Sequence, residues 1–193
     1  MESNQFGMML VPALFMTGNM ILLYGQFMFG WQAAEFDGLL ANKTNIRTFF
    51  KAKLLLLTLS ATVLTLVTSL YGLLSWKLLF IQLTAYFYNI GIGTIVVLYF
   101  ATRNYKYIDL KKGASFNWQG VGASSMLMSL PILLLPYLIY MPLSALTNPF
   151  WGLAGIGILG ILGLCMRSYC LNILVNGFNE RKYKIAAGFR EQS

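Results

Sequence analysis

The stretch from Leu54 to Leu74, LLLLTLSATVLTLVTSLYGLL, contains no charged residue. An apolar run of about 20 residues is long enough to cross a bilayer as an α-helix. Four other stretches meet the same standard. The sequence therefore predicts an all-α polytopic membrane protein in which residues 1–193 form a single transmembrane domain. The five predicted spans run from about Met8 to Gly30, Leu54 to Leu74, Leu78 to Ala101, Ala123 to Leu146 and Trp151 to Leu171.

The composition of the whole chain agrees with this class of protein. Hydrophobic residues make up 58% of the chain and charged residues 10%, whereas soluble domains average about 45–50% and about 25%. An ordinary soluble fold is therefore excluded. Tryptophan favours the headgroup level of a bilayer, and all four tryptophans lie at predicted span ends: Trp31, Trp76, Trp118 and Trp151.

The distribution of basic residues predicts the orientation. Of the 14 Lys and Arg residues, 13 fall in the first and third connections and at the C-terminal end, and only Lys77 falls on the other side. Cytoplasmic loops carry such an excess, so we expect an outside N-terminus and a cytoplasmic C-terminus. The net charge of +8 then reflects topology and attraction to membrane lipids, and no nucleic-acid partner is expected.

An outside N-terminus that enters a span at once, in a chain with an odd number of spans, is unusual. Residues 1–7 contain Glu2 and no basic residue, so they do not resemble the start of a secretory signal peptide. We expect this chain to be the C-terminal part of a longer protein with further spans upstream, or a short relative of one. A homodimer is the alternative arrangement.

The first cytoplasmic connection contains the sequence EFDGLL at residues 35–40. Phe36, Leu39 and Leu40 have the i, i+3, i+4 spacing of a short amphipathic helix. One interpretation is a helix that lies on the lipid headgroups. The other is a docking helix for a cytoplasmic partner, with Glu35, Phe36, Asp37, Leu39 and Leu40 as the candidate contact residues.

Several polar side chains fall inside the predicted spans, where unpaired polar groups are costly. Asn19 and Gln26 are seven residues apart in the first span, and Gln82, Tyr86 and Asn89 share a face of the third. The two stripes could meet each other. They either hydrogen-bond between helices or line a polar cavity, and the sequence does not decide between these interpretations. A hydroxyl-bearing face in the second span is interpreted as a packing surface; it comprises Thr58, Thr62, Thr65 and Ser69.

Several kinds of chemistry are not supported by the sequence. The chain has no His, and its six acidic residues all lie outside the predicted spans, so it lacks the usual groups of a proton relay. No P-loop motif occurs. We therefore predict no catalytic, cofactor-binding or metal site and no enzymatic activity. Cys165 and Cys170 are predicted to be small buried apolar groups.

Three segments carry a family resemblance: ASFNWQGVGA at 114–123 before a Pro-rich span, FDGLL at 36–40, and RKYK at 181–184 with GFR at 188–190. They resemble an uncharacterised family of bacterial polytopic membrane proteins that look like ABC-2-type transporter permeases. The resemblance covers the later part of a typical member.

This resemblance implies a permease of the bacterial inner membrane that is energised by a separate cytoplasmic ATPase. It makes residues 35–40 the candidate contact with that subunit. A structural or assembly membrane protein without transport activity is the main alternative. A membrane-bound enzyme acting on lipids is a third, and the sequence offers no reactive constellation for it.

Overall fold

A computed structural model of the chain describes residues 3–42, 44–108 and 123–192, with the backbone alone at 3–4 and 123–129. This part of the chain is helical and contains no strand. Helix α1 covers Ser3–Met20 and continues as a π-helical turn over Ile21–Gly25, followed by a 3-10 turn at Gly30–Glu35 and the short helix α2 at Phe36–Ala41.

The central helices follow in the order that hydropathy predicts. Helix α3 covers Ile46–Thr68 and ends in a 3-10 turn at Ser69–Leu73. Helix α4 covers Trp76–Tyr88, and a π-helical turn at Asn89–Gly93 joins it to α5 at Thr94–Ala101. The last three helices are α6 at Ala123–Leu146, α7 at Pro149–Cys165 and α8 at Arg167–Arg190.

Three continuous helical stretches are long and apolar enough to cross a membrane: Gln5–Ala41, Ile46–Leu73 and Trp76–Ala101. They cover the first three predicted spans, except for Leu74 at the end of the second. Helices α7 and α8 together would form a fourth, but they are bent by 67°. The apolar part of α6 within the fully described residues, Leu130–Leu146, is shorter. Three to four helices of spanning length are therefore seen among the described residues, where the sequence predicts five.

The end of the fifth predicted span differs from the prediction. It was expected to reach Leu171, but α7 ends at Cys165 and the chain bends at Met166, whose φ and ψ are −85° and 5°. Hydropathy averages over a window and does not detect a bend. Here the bend separates an apolar helix from one that begins with Arg167 and carries many polar residues.

Three helices begin at residues whose side chains cap them. The amide oxygen of Asn45 accepts from the backbone N–H groups of Arg47 and Thr48, at 3.1 and 3.3 Å. Ser75 caps α4 by accepting from the N–H of Lys77 at 3.3 Å. Asn148 caps α7 and is followed by Pro149 in the first turn. These caps satisfy free N–H groups at helix starts.

The core is formed where α4 lies between α1 and α7, with α3 packed on α1 and α6 packed on α7. The helices leave two ends. One end, which we call the basic end, consists of α2, the first turns of α3, and α8. The opposite end contains the α3–α4 and α6–α7 connections, where Trp76 stacks on Phe150 with ring centroids 5.4 Å apart.

The predicted tryptophan boundaries fall at both ends. Trp76 and Trp151 are exposed at the opposite end, while Trp31 is half-buried at the basic end and stacks on Tyr24. Trp118 lies outside the described residues, as do Lys43, Asp109, Lys111, Lys112 and most of the 114–123 segment.

Candidate functional site

Six phenylalanine rings form a cluster at the basic end, and Phe36 of α2 is one of them. The cluster joins the end of the first span, α2, the start of α3 and α8. Phe36 lies 5.8 Å from Phe29, 6.1 Å from Phe178 and 5.3 Å from Phe189, measured between ring centroids. The members are Phe29, Phe36, Phe49, Phe50, Phe178 and Phe189.

The burial of Phe36 corrects the prediction for residues 35–40. Only 1% of Phe36 is exposed, and Leu39 and Leu40 are half-buried against the same core. The apolar face of α2 is therefore packed inside the protein and is not available to a partner. The sequence spacing identified this face correctly but could not show that α8, more than 130 residues later, covers it.

The polar residues of α2 lie on the outside. Glu35 is exposed, and Asp37 forms an ion pair with Arg190 near the end of α8. Arg190 donates from Nη2 to Oδ1 of Asp37 at 2.8 Å and from Nε to Oδ2 at 3.1 Å. This hydrogen bonding holds the pKa of the Asp37 carboxyl below its ordinary value and raises the pKa of Arg190.

The end of α8 and the turn that follows it also hold the segment after α5. The side chain of Gln192 accepts from the N–H of Tyr107 and donates to the carbonyl of Tyr105, both at 3.1 Å. Gly188 lies against Tyr105, where a Cβ would come within 2.9 Å of the Tyr105 Cβ. The basic end is thus one packed unit in which α8 ties α2 to the residues after α5.

The polar stripe predicted on the third span makes hydrogen bonds between helices. Asn89, which is 1% exposed, donates from Nδ2 to the carbonyl of Leu14 at 2.9 Å and to Oγ1 of Thr17 at 2.8 Å, both on α1. Tyr86 and Thr62 share a hydrogen bond of 2.9 Å between their hydroxyls. Gln82 donates to Oγ1 of Thr68.

The stripe predicted on the first span is not formed. Asn19 is exposed, whereas Gln26 is buried. The π-helical turn at Ile21–Gly25 separates them, and its wider i→i+5 turns shift the register, so seven residues no longer return to the same face. Gln26 accepts at its backbone carbonyl from Nδ2 of Asn104 at 3.0 Å. The two amide stripes therefore do not meet.

The hydroxyl face of α3 packs against neighbours along most of its length. Thr62 meets Tyr86, and Thr58 accepts from Nη2 of Arg167 at 2.9 Å. Thr68, which is not among the predicted members of this face, is the partner of Gln82. It lies three residues after Thr65 and continues the same face, so the spacing could have identified it. Thr17 on α1 was missed because a lone Thr in a span carries no signal of its partner.

A cavity of about 200 Å³ lies between α1 and α4. Its lining is almost entirely apolar, and its one amide, Gln82, is engaged with α3. Within the described residues, no group of His, Cys, Asp and Glu is placed to hold a metal ion. The cysteines are less buried than predicted, with Cys165 exposed and Cys170 half-exposed.

Residues 1–192 match a family of unknown function, DUF5687. The chain belongs to this family. The matched region of this DUF5687 chain includes both the aromatic cluster at the basic end and the hydrogen-bonded stripe of α4. No curated protein and no solved structure matches the chain. The expected likeness to ABC-2-type permeases therefore stays a prediction.

Proposed function

We propose that this chain is the membrane-spanning, permease-like subunit of an ATP-driven transporter of the ABC-2 type, energised by a separate ATPase subunit. In this proposal the basic end faces the cytoplasm, in accord with the excess of Lys and Arg there. Helices α6 and α7 complete five crossings, and the N-terminus is outside. The membrane is the inner membrane of a bacterium.

Two features support a separate subunit as the energy source: the motifs and ionisable groups that the sequence lacks, and the hydrogen bonds that its intramembrane polar groups already make. The sequence has no P-loop and no His, and its acidic residues lie outside the predicted spans. Proton-coupled carriers depend on ionisable groups within the membrane. In the described helices, Gln82 and Asn89 are engaged in hydrogen bonds to α3 and α1.

The proposal rests on one observation, which is that α2 is packed tightly against the rest of the protein. Phe36 packs against Phe29 of the first span and against Phe178 and Phe189 of α8, and Asp37 is held by Arg190. A packed element moves with the elements it contacts. A force applied to the outer face of α2 by an ATPase would therefore reach the first span directly, and α3 through the contacts of Phe50 with Phe29 and Phe178.

The contact surface in this proposal is the polar outer face of α2, and it replaces the apolar face suggested by the sequence. Glu35 and Gly38 are exposed there. A Cβ built on Gly38 meets no atom within 4 Å, so this position opens directly onto the surface.

Co-purification tests the proposal. The tagged chain is extracted from its native membranes in a mild detergent, and proteins present in stoichiometric amounts are identified by mass spectrometry. We expect a P-loop ATPase, together with ATP hydrolysis in the eluate that vanadate inhibits. Purification of the chain in good yield, with partners but without any P-loop protein, would contradict the proposal.

A structural or assembly role is the second candidate, and the hydrogen bonding of α4 favours it. Polar side chains that bond between helices stabilise packing and leave no polar surface for a route. This candidate predicts that a variant in which all four amides are replaced preserves function in cells. The substitutions are Asn19→Leu, Gln26→Leu, Gln82→Leu and Asn89→Leu. Loss of the cellular function in a variant that still folds would exclude it.

A further inference from the structure

A pocket of about 290 Å³ lies at the basic end, between the first turns of α3 and the bend that joins α7 to α8. Three basic side chains line it: Arg47, Lys51 and Arg167. Arg47 and Lys51 are four residues apart on α3 and so lie on one face of that helix. The pocket is formed by segments more than 110 residues apart in the sequence.

Arg167 is held in position at this pocket. Its Nη2 donates to Oγ1 of Thr58 at 2.9 Å. Thr58 lies one helical turn beyond Leu54, which lines the pocket. The hydrogen bond fixes one edge of the guanidinium group and leaves its other donors available. A guanidinium group has five N–H donors in a planar fork that matches the oxygens of a phosphate.

The three charges have no acidic counterpart in the part of the chain that the structure describes. None of the described residues that line the pocket is acidic, and the ion pair recorded in that part joins Arg190 to Asp37 elsewhere at the basic end. Like charges in one pocket repel each other. An anion would relieve this repulsion and supply the missing acceptor.

The rest of the lining is apolar and continues onto the outer surface of α3. Leu54 and Leu171 are buried beside the pocket, while Leu55 is 58% exposed. Leu59 and Val63 follow Leu55 at four-residue intervals and are equally exposed, so an apolar stripe leads from the charges along the helix. A soluble phosphate would make no contact with this apolar stripe, whereas the acyl chain of a lipid would pack along it.

We infer that this pocket binds the phosphate headgroup of an anionic phospholipid, with an acyl chain along the stripe of α3. Basic pockets between membrane helices are suited to such headgroups. No residue of α2 lines the pocket, so the inference does not depend on the proposed transport function.

The test compares two variants with the same change in charge. Arg47→Gln/Lys51→Gln removes two of the three charges at exposed positions. Arg181→Gln/Lys184→Gln makes the same change on α8, outside the pocket. Binding of phosphatidylglycerol to the purified full chain in detergent is titrated by native mass spectrometry, with phosphatidylcholine and inorganic phosphate as the other probes.

We expect phosphatidylglycerol to bind in preference to phosphatidylcholine. A basic residue near an anionic surface contributes about fivefold in affinity, so Arg47→Gln/Lys51→Gln should weaken binding about 30-fold. The α8 variant should bind nearly as well as the unaltered chain. Equal losses in both variants would show diffuse attraction and overturn the site, and inorganic phosphate that displaces the lipid at equal concentration would overturn its assignment to a lipid.

Discussion

Gly91 and Gly160 face each other where α7 crosses the π-helical turn after α4. A Cβ built on Gly91 would overlap the carbonyl of Gly160 and come within 3.0 Å of its Cα. In the other direction, a Cβ on Gly160 would overlap the backbone of Phe87 and lie 2.6 Å from the nitrogen of Tyr88. Backbone atoms cannot rotate aside, so the two helices are this close because both positions are glycine.

Gly160→Ala is therefore expected to destabilise the bundle. Overpacking costs about 1–3 kcal/mol, and here the obstacle is backbone, so we expect the upper part of that range. The measurement is the midpoint of thermal unfolding in detergent, followed by intrinsic fluorescence.

Gly157→Ala provides a matched control on the same helix. The nearest atom to a Cβ there is Cγ2 of Thr84 at 3.9 Å, an ordinary contact distance. Because Ala favours a helix over Gly by up to about 1 kcal/mol, this variant should be as stable as the unaltered chain or more so. Equal destabilisation by both substitutions would contradict the proposed crossing.

Asn89→Leu should weaken the contact between α4 and α1. The variant loses the hydrogen bonds to the Leu14 carbonyl and to Thr17. Hydrogen bonds between membrane helices contribute about 0.6 kcal/mol on average and at most about 1.7 kcal/mol. A double-mutant cycle with Thr17→Val should give a coupling free energy in this range.

Asn19→Leu is the control for this prediction because it makes the same substitution at an exposed position of α1. We expect no loss of stability and no coupling to Thr17→Val. A destabilisation by Asn19→Leu as large as that by Asn89→Leu would restore the discarded idea of a polar stripe on the first span.

Phe36→Ala separates a core role for this residue from a docking role. Removing a buried phenylalanine costs about 3–5 kcal/mol, so the isolated chain should lose thermal stability and yield. Glu35→Ala, at the adjacent exposed position, should change stability by less than about 0.5 kcal/mol. A Phe36→Ala chain with unaltered thermal stability would place this side chain outside the aromatic cluster.

The Asp37–Arg190 pair should give a small dependence of stability on pH. Because the pKa of Asp37 is lowered in the folded chain by its bond to Arg190, the pair stabilises the fold above the ordinary carboxyl pKa. That contribution is lost as the pH falls through the lowered pKa, below about pH 4. Both side chains are exposed, so the effect is small and salt weakens it.

Asp37→Asn tests this dependence. The variant should unfold at a slightly lower temperature than the unaltered chain at pH 7, and the difference should be smaller at pH 3. A difference that persists unchanged at pH 3 or in concentrated salt would show that the pair does not act through charge.

The three helical stretches that are long and apolar enough to cross a membrane could be predicted from the sequence, because each contains an apolar run of about 20 residues. The two π-helical turns could not be predicted, because nothing in their composition distinguishes them from α-helix. One of them, at Ile21–Gly25, places Asn19 and Gln26 on different faces. The bend at Met166 was missed for a similar reason: it depends on φ and ψ at one residue within a continuous helical pattern.

The candidate contact at residues 35–40 was predicted in part. The spacing of Phe36, Leu39 and Leu40 identified an amphipathic helix, which α2 is. Whether its apolar face meets lipid, a partner or the chain itself depends on a contact with Phe178 and Phe189 that is remote in sequence. Local periodicity contains no information about such a contact.

The central claim, that an ATPase docks on the outer face of α2, is tested most directly by site-specific photo-crosslinking from Gly38 in native membranes. The position is exposed and a Cβ there meets no atom within 4 Å, so we expect a benzophenone side chain to extend outward and leave the fold intact. Leu146, which is 83% exposed at the opposite end, is the matched control. We predict a crosslink from Gly38 to a P-loop ATPase and none from Leu146. Crosslinks from Gly38 to lipid or to other proteins alone, in cells where the chain is folded and active, would contradict the account.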